Sequence, residues 1–322
     1  MRPHQEEVLA YQGGLAAVSA VPGSGKTLTL SLLAARLIVE GRIGERGEVL
    51  VVTVQNSAVD NIGQRIRTIL EAQGLPPVGF RVCTLHKLAA DILRQRLDLA
   101  GVEEGFAIVD DVESRRAMHN AADVWISRHR GLWLSYLDDG SGDEVRAAVE
   151  ERWRLETERV GREVTKLAKH LRLTPEAAMR LLAGSGEEDG FAAMGLELYA
   201  QYARYLQVRT GLDFDDLIWR ALDMLDQDPS FLENLRVRWP YILEDEAQDS
   251  SPLQERILER LAGPGGNWVR VGDPNQSINS TFTAADPRYF RRFWAREDVT
   301  AMELPESGRS GAPIIDLANS LV

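Results

Sequence analysis

The sequence predicts an α/β protein, in which helices flank a parallel β-sheet that carries a large all-helical insertion. Three observations lead to this prediction. Short apolar runs alternate with helix-favouring stretches near both ends of the chain. A glycine-rich loop at residues 20–27 joins the first apolar run to the first long helical stretch. Residues 111–208 consist of charged, helix-favouring segments with hardly any strand pattern.

The predicted elements follow one another in the order expected for such a sheet. The first strand is predicted at residues 15–21, and the helix behind the loop at residues 27–40, ending before Gly41. A second helix is predicted at residues 57–73, and a third runs to about residue 97. Further strands are predicted at 48–54, 81–85, 106–109, 241–243, 268–271 and 299–304.

Composition excludes several classes of protein. The chain has 322 residues, 44% of them hydrophobic, which is enough for a full core and allows two domains. Its single cysteine, Cys83, excludes an internal disulfide framework and a multi-cysteine zinc site. Neither a secretory signal nor an apolar run of membrane-spanning length is evident, so we expect a cytoplasmic protein without a membrane partner. The net charge of -12 does not exclude DNA, because salt screens all but the local charge of a groove.

The loop at residues 20–27 predicts a nucleoside triphosphate site. It reads Ala-Val-Pro-Gly-Ser-Gly-Lys-Thr and fits the relaxed phosphate-loop pattern, with Ala20 in place of a glycine. Backbone N–H groups of such a loop surround phosphate oxygens at a helix start, and the alternative is a glycine-rich turn without a ligand. Lys26 can reach the β- and γ-phosphates, and the Thr27 hydroxyl can bind Mg²⁺. The predicted nucleotide contacts are Pro22, Gly23, Ser24, Gly25, Lys26 and Thr27.

Two later segments predict the other half of a hydrolytic site. The apolar run at 241–243 leads into Asp245 and Glu246, and carboxylates at a strand end can hold Mg²⁺ and place water. We expect Asp245 to bind Mg²⁺ through water and Glu246 to orient or deprotonate the attacking water. The run 271–277 delivers Gln276 to the same sheet edge, where a neutral amide can sense a γ-phosphate. The alternatives are an acidic loop and an Asp-Pro-Asn turn with an incidental glutamine.

The order of these motifs resembles that of superfamily 1 DNA helicases of the UvrD/PcrA/Rep type. The resemblance implies a RecA-like sheet, ATP with Mg²⁺, a catalytic role for Lys26, and an adenine-reading role for Gln5. The run Leu304–Ser310 resembles the motif that carries an arginine finger, here Arg309. The resemblance to the family also implies that the partner is single-stranded DNA or a duplex with a 3′ tail. The implied DNA contacts, which could instead be polar ends of buried strands or ordinary surface residues, are Thr53, Asn56, Thr84, His86 and Phe282.

The resemblance implies a domain organisation as well. Residues 1–110 and 209–306 would form the RecA-like ATP-binding domain, and residues 111–208 a helical DNA-binding insertion. Residues 307–322 would begin a second RecA-like domain that is truncated here. One departure from the family is Gly308, at a position where the family has an adenine-stacking aromatic side chain.

The implied function is the ATP-binding and single-stranded-DNA-binding N-terminal half of a 3′-to-5′ DNA helicase or translocase. A chain with one RecA-like domain is expected to turn ATP over slowly and to unwind little by itself, since an arginine finger typically contributes about 10³–10⁵ in turnover. An ATP-binding switch or adaptor without motor activity is the alternative. A small-molecule kinase is a third possibility, although no acceptor site is evident.

Overall fold

The computed structural model of the chain describes residues 2–134, 142–185, 190–275 and 287–308. The chain divides into two compact units, Met1–Ile92 with Ala221–Val322, and Leu93–Arg220. The helices in chain order are α1 (Pro3–Leu9), α2 (Lys26–Val39), α3 (Asn56–Ala72), α4 (Leu85–Gln95), α5 (Leu97–Ala100), α6 (Asp111–Arg128), α7 (Arg130–Leu134), α8 (Asp143–His170), α9 (Pro175–Ser185), α10 (Gly190–Val208), α11 (Phe214–Gln227), α12 (Pro229–Arg238), α13 (Pro252–Ala262) and α14 (Pro287–Trp294). The strands are β1 (Leu15–Ala20), β2 (Val49–Thr53), β3 (Phe80–Thr84), β4 (Ala107–Ile108), β5 (Gly211–Leu212), β6 (Tyr241–Glu244), β7 (Asn267–Gly272) and β8 (Val299–Leu304), and a 3-10 turn covers Ala247–Asp249.

The first unit is built on a six-stranded sheet with the strand order β3-β2-β6-β7-β1-β8. Every neighbouring pair in this sheet is parallel. Its central strands are mostly apolar and almost fully buried, as expected when helices cover both faces of a parallel sheet. The predicted RecA-like α/β fold is confirmed.

The strand register brings the functional loops of the first unit to one edge of the sheet. Ser19 of β1 pairs with Gly272 of β7, and Val52 of β2 pairs with Glu244 of β6. Because all these strands are parallel, their carboxyl ends meet at the same edge, where open α/β sheets bind their ligands. The loops after β1, β2, β6 and β7 therefore begin side by side.

The second unit is mainly helical. Side chains of α6, α8, α9 and α10 pack into a core of their own, which includes Met118, Trp125, Leu198 and Tyr199. The prediction that the chain carries a large helical insertion is confirmed. None of the helices in the described ranges combines the length and the apolar character needed to cross a membrane.

The strand predicted at residues 106–109 belongs to this second unit, and its assignment to the main sheet was wrong. The observed β4 has two residues and pairs with β5 in a separate two-stranded sheet. Both residues of β4, Ala107 and Ile108, are exposed. A strand buried on both faces of a parallel sheet cannot expose two consecutive side chains, because these point to opposite faces.

A buried ionic cluster joins the end of α8 to the start of α11 within the second unit. Lys169 is 2% exposed, and its Nζ lies 2.5 Å from an Asp213 carboxylate oxygen and 2.8 Å from one of Asp216. The Tyr202 hydroxyl donates to Asp213 at 2.7 Å. Burial alone would lower the pKa of Lys169, but the two carboxylates raise it well above its ordinary value. The lysine is therefore charged and is neutralised by its partners.

Candidate functional site

The loop between β1 and α2 has the geometry of an anion cradle. Gly25 adopts φ of 89°, in the left-handed region, immediately before the first residue of α2. A Cβ at this position would lie 2.9 Å from Gln5 Nε2, so the loop is closed to larger residues. The Ser24 hydroxyl is buried and finds no hydrogen-bond partner within the described ranges. The first N–H groups of α2 have no intrahelical acceptors, so the loop can offer them as donors to an anion.

Two side chains at the start of α2 meet the two carboxylates that follow β6. Lys26 Nζ lies 2.9 Å from Glu246 Oε2, and the Thr27 hydroxyl donates to Asp245 Oδ2 at 3.4 Å. Since β7 lies between β1 and β6 in the sheet, this contact depends on the loops beyond the strand ends. The structure thus brings together the four residues that the sequence motifs single out.

Burial and the neighbouring charges separate the pKa values of the two carboxyl groups. Burial, together with the charge of Glu246, raises the pKa of Asp245 to about 6, although Lys26 opposes this shift. Burial also acts to raise the pKa of Glu246, but hydrogen bonds from Gln248 and Lys26 outweigh it and lower that pKa. On acidification Asp245 therefore takes up a proton before Glu246 does, and Glu246 stays ionised. A cation beside Asp245 would favour its carboxylate and so oppose this protonation.

The backbone at Glu246 is strained. Its φ of 55° lies in the left-handed region, which residues other than glycine seldom adopt. The conformation is held by the turn that follows, in which Asp249 N donates to Glu246 O at 2.9 Å. On the preceding side, Glu246 N donates to Asp245 Oδ1 at 3.2 Å. Strained backbone conformations persist where surrounding contacts hold them in place, and they are found mostly at functional sites.

A buried ion pair anchors the strand end that carries these carboxylates. Arg270 of β7 is 0% exposed and donates through Nε to Glu244 Oε2 at 2.8 Å. Its guanidinium lies 4.8 Å from the ring centroid of Trp268 and 4.9 Å from that of Phe293. Ser250, beyond the carboxylates, donates its hydroxyl to Glu244 Oε1 at 2.5 Å. The loop is therefore fixed at both ends. The sequence did not predict the Arg270–Glu244 ion pair, although an arginine inside an apolar strand pattern could have indicated it.

Gln5, the predicted adenine reader, lies against the phosphate loop. Its Nε2 donates to Ser24 O at 3.2 Å, and its Oε1 accepts from Arg2 N at 3.1 Å. Gly308 reaches the same loop, donating its N–H to Gly23 O at 2.9 Å. A Cβ at residue 308 would collide with the Arg2 guanidinium, which occupies the space of a side chain there. Base recognition by Gln5 stays a prediction.

The predicted DNA contacts of the first unit lie at the ends of β2 and β3. Thr53 and Thr84 are paired in register as the last residues of these strands. His86 is half-buried in the first turn of α4, and Asn56 is the exposed first residue of α3. Thr53, His86 and Asp245 line one pocket, and the buried Thr53 hydroxyl has no hydrogen-bond partner among the residues described. Gln276, Phe282 and Arg309, also predicted at the site, lie outside the described residues.

The donor atoms at the site fit Mg²⁺ accompanied by phosphate rather than a metal centre made of protein alone. No group of three or more His, Cys, Asp or Glu side chains in the described ranges could hold a metal ion. Thr27 and Asp245 supply one hydroxyl and one carboxylate. Mg²⁺ is typically held by one or two carboxylates, waters and substrate phosphates. The orphaned Ser24 hydroxyl and the open cradle suit the phosphate part of such a ligand.

The comparisons with known proteins agree with this geometry. Residues 1–296 match the family description "UvrD/REP helicase N-terminal domain". ATP-dependent DNA helicase UvrD1 of Mycobacterium leprae is 27% identical, over 100% of this chain and 39% of that protein. ATP-dependent DNA helicase UvrD2 of Mycobacterium tuberculosis is 29% identical, over 99% of this chain and 42% of that protein. ATP-dependent DNA helicase PcrA of Bacillus subtilis is 26% identical, over 86% of this chain and 33% of that protein.

The chain thus spans about two fifths of the length of the first two of these relatives. The family match covers both the phosphate loop and the Asp245–Glu246 strand end. The sheet order and the contacts across the loops are those of a phosphate-loop α/β site. The chain belongs to the UvrD/REP helicase family through its N-terminal domain.

Proposed function

We propose that this chain is the ATP-binding and single-stranded-DNA-binding part of an ATP-dependent 3′-to-5′ DNA helicase or translocase. One observation carries the proposal: the phosphate loop meets a carboxylate pair, with Lys26 Nζ 2.9 Å from Glu246 and Thr27 within hydrogen-bonding distance of Asp245. Family membership supports the same conclusion, since relatives are named ATP-dependent DNA helicases.

In the proposed reaction the chain's own groups bind the nucleotide and orient the attacking water. Backbone N–H groups of the loop and Lys26 would bind the phosphates, and Thr27 and Asp245 would hold Mg²⁺. Bound there, the ion would supply positive charge to the phosphoryl oxygens. When Lys26 turns from Glu246 to a phosphate, the carboxylate of Glu246 is free to orient or deprotonate the attacking water. Gln276 and Arg309 are proposed to sense and stabilise the γ-phosphate, with Gln5 reading the adenine.

The proposed DNA surface lies beside the nucleotide site. Thr53, Thr84 and His86 come together at the ends of β2 and β3, and Thr53 shares a pocket with Asp245. This proximity supports coupling between DNA contact and Mg²⁺ binding. Asn56 and the ring of Phe282 are proposed as further contacts, and base stacking on an aromatic ring is worth about 1–3 kcal/mol per base. The 3′-to-5′ polarity and the preference for single strands or 3′-tailed duplexes rest on the family resemblance.

The proposal is tested by ATP hydrolysis with and without single-stranded DNA. The wild-type chain is expected to hydrolyse ATP slowly and to respond to DNA, whereas Lys26→Ala is inert. Glu246→Gln is expected to bind ATP without hydrolysing it, because it keeps the site but loses the water-orienting carboxylate. Tight ATP binding with no effect of DNA would support the switch or adaptor function instead. Wild type and Lys26→Ala with equal rates would refute the proposed site.

A further inference from the structure

Gln248 is a buried side chain in the segment Asp245–Asp249, and its hydrogen bond to Glu246 is the only role described for it so far. It lies in the 3-10 turn directly after Glu246 and is 3% exposed. A buried amide needs partners for its donors and its acceptor, because an unsatisfied polar group is costly away from water. Its partners show what it does.

The amide of Gln248 links two strand ends. Its Nε2 donates to Glu246 Oε2 at 2.8 Å, and its Oε1 accepts from Asp273 N at 2.9 Å. A carboxylate can only accept and a backbone N–H can only donate, so a single orientation of the amide satisfies both contacts. A Cβ at Gly272 would lie 2.7 Å from Gln248 Oε1, so the close approach of this side chain to the end of β7 requires glycine there.

Lys26 and Gln248 contact the same oxygen of Glu246. Lys26 Nζ lies 2.9 Å from Oε2, and Gln248 Nε2 lies 2.8 Å from it. In the proposed reaction Lys26 leaves this oxygen for a phosphate. Gln248 then keeps its contact, because its other end is tied to the backbone at Asp273 rather than to the nucleotide.

We propose that Gln248 is a positioning residue, which holds the Glu246 carboxylate in its working orientation and couples it to the backbone of the loop after β7. The inference rests on the proposed function, in which Glu246 orients the attacking water. A shift of the backbone at Asp273 moves the group that fixes the amide, and the carboxylate moves with it. In the sequence Asp273 lies three residues before Gln276, so the amide ties the water-orienting carboxylate to the backbone that leads to the proposed γ-phosphate sensor.

Three variants separate this role from simple packing. Gln248→Met removes both hydrogen bonds at similar size. Gln248→Glu keeps an acceptor for Asp273 N but turns an oxygen towards the Glu246 carboxylate, where the amide had donated. Gln12→Met is the matched control: Gln12 lies in the same unit but not in the site, and its amide donates to Ala10 O at 3.0 Å and accepts from Arg42 Nη1 at 3.1 Å.

Hydrogen exchange of the ligand-free protein tests the link without any nucleotide. We expect the Asp273 amide to exchange about tenfold faster in Gln248→Met than in wild type, as the loss of one hydrogen bond implies. Exchange of the Asp273 amide should stay within about threefold of wild type in Gln248→Glu and in Gln12→Met. Equal exchange in wild type and Gln248→Met would overturn the inference.

Single-turnover hydrolysis of ATP, with protein in excess, tests the consequence for Glu246. Both Gln248 variants should lower the hydrolysis rate by about 10- to 100-fold, the effect of misplacing a reacting group by about 1 Å. Their affinity for ATP with Mg²⁺ should stay within about threefold of wild type, and Gln12→Met should change neither the rate nor the affinity. A wild-type rate in Gln248→Glu, or rate and affinity falling together, would contradict the positioning role. If the wild-type chain hydrolyses no ATP, the proposed function fails, and the exchange measurement alone decides the link.

Discussion

Replacing Asp245 by asparagine is expected to stabilise the ligand-free protein at neutral pH, although it removes a proposed Mg²⁺ ligand. Burial raises the pKa of Asp245 from 3.8 to about 6. The folded protein therefore binds this proton more tightly than the unfolded chain does, and the ionised carboxylate destabilises the fold above pH 6. The penalty disappears below about pH 4, where the carboxyl group is protonated in both states.

The size of the effect follows from the pKa shift. A shift of about two units corresponds to about 3 kcal/mol, at 1.36 kcal/mol per unit. The side chain also accepts hydrogen bonds from Glu246 N and the Thr27 hydroxyl. Asparagine can keep one of these, and losing the other costs about 1 kcal/mol. We therefore expect Asp245→Asn to raise the unfolding free energy by about 1–3 kcal/mol at pH 8, and by much less at pH 5.

Urea unfolding of wild type and Asp245→Asn between pH 5 and pH 8 measures the difference in unfolding free energy. Hydrogen exchange in β2 and β6 identifies which transition belongs to the first unit. Asp91→Asn is the control of opposite sign. Although burial acts to raise the pKa of Asp91, Lys87 and Arg81 lower it, so its ionised form stabilises the fold. That variant should therefore lose the same stability at pH 5 and at pH 8, because the carboxyl group of Asp91 is ionised throughout this range. If Asp245→Asn destabilises the protein equally at pH 5 and pH 8, the desolvation argument is wrong.

Three further perturbations have defined outcomes. Arg270→Met should lower the unfolding free energy of the first unit by about 3–5 kcal/mol, because it leaves the buried Glu244 carboxylate without a cation. The double variant Arg270→Met with Glu244→Gln should lose less unfolding free energy in the same urea titration. Lys169→Met should destabilise the second unit by a similar amount. Its helical circular dichroism should be lost at a lower temperature at pH 8 than at pH 5, because burial raises the pKa of Asp216 and removal of the Lys169 charge raises it further, so that the carboxyl group is protonated at pH 5. Gly25→Ala should weaken ATP binding measured by fluorescence titration and cost about 1–2 kcal/mol of stability, because φ of 89° is unfavourable for a residue with a Cβ.

Local chemistry explains why much of the site could be predicted. The phosphate loop depends on glycines and on a lysine at fixed spacing, so the pattern around Gly25 and Lys26 predicts the shape of the loop. Parallel strands put their carboxyl ends at one edge, which is why Asp245 and Glu246 could be expected to face Lys26. The first inference needed only the spacing of residues within one loop, and the second only the order of elements along the chain.

Contacts that depend on three-dimensional proximity could not be predicted in this way. The two hydrogen bonds of Gln248 exist because the loops after β6 and β7 lie side by side, which the spacing of the motifs does not specify. The left-handed backbone of Glu246 is imposed by the following turn. The two-residue strand β4 was misassigned because the apolar pattern at 106–109 does not reveal which strand it pairs with.

The central claim is that the loop at Ala20–Thr27 and the carboxylates after β6 form one site for ATP with Mg²⁺. Calorimetric titration of ATP with Mg²⁺ into the wild-type chain, Lys26→Ala and Glu246→Gln tests it most directly. We predict one binding site per chain in wild type and in Glu246→Gln, and an affinity lower by at least about tenfold in Lys26→Ala, the effect of losing a charge-assisted contact to phosphate. Absence of binding by the wild-type chain, or equal affinity of wild type and Lys26→Ala, would contradict the claim.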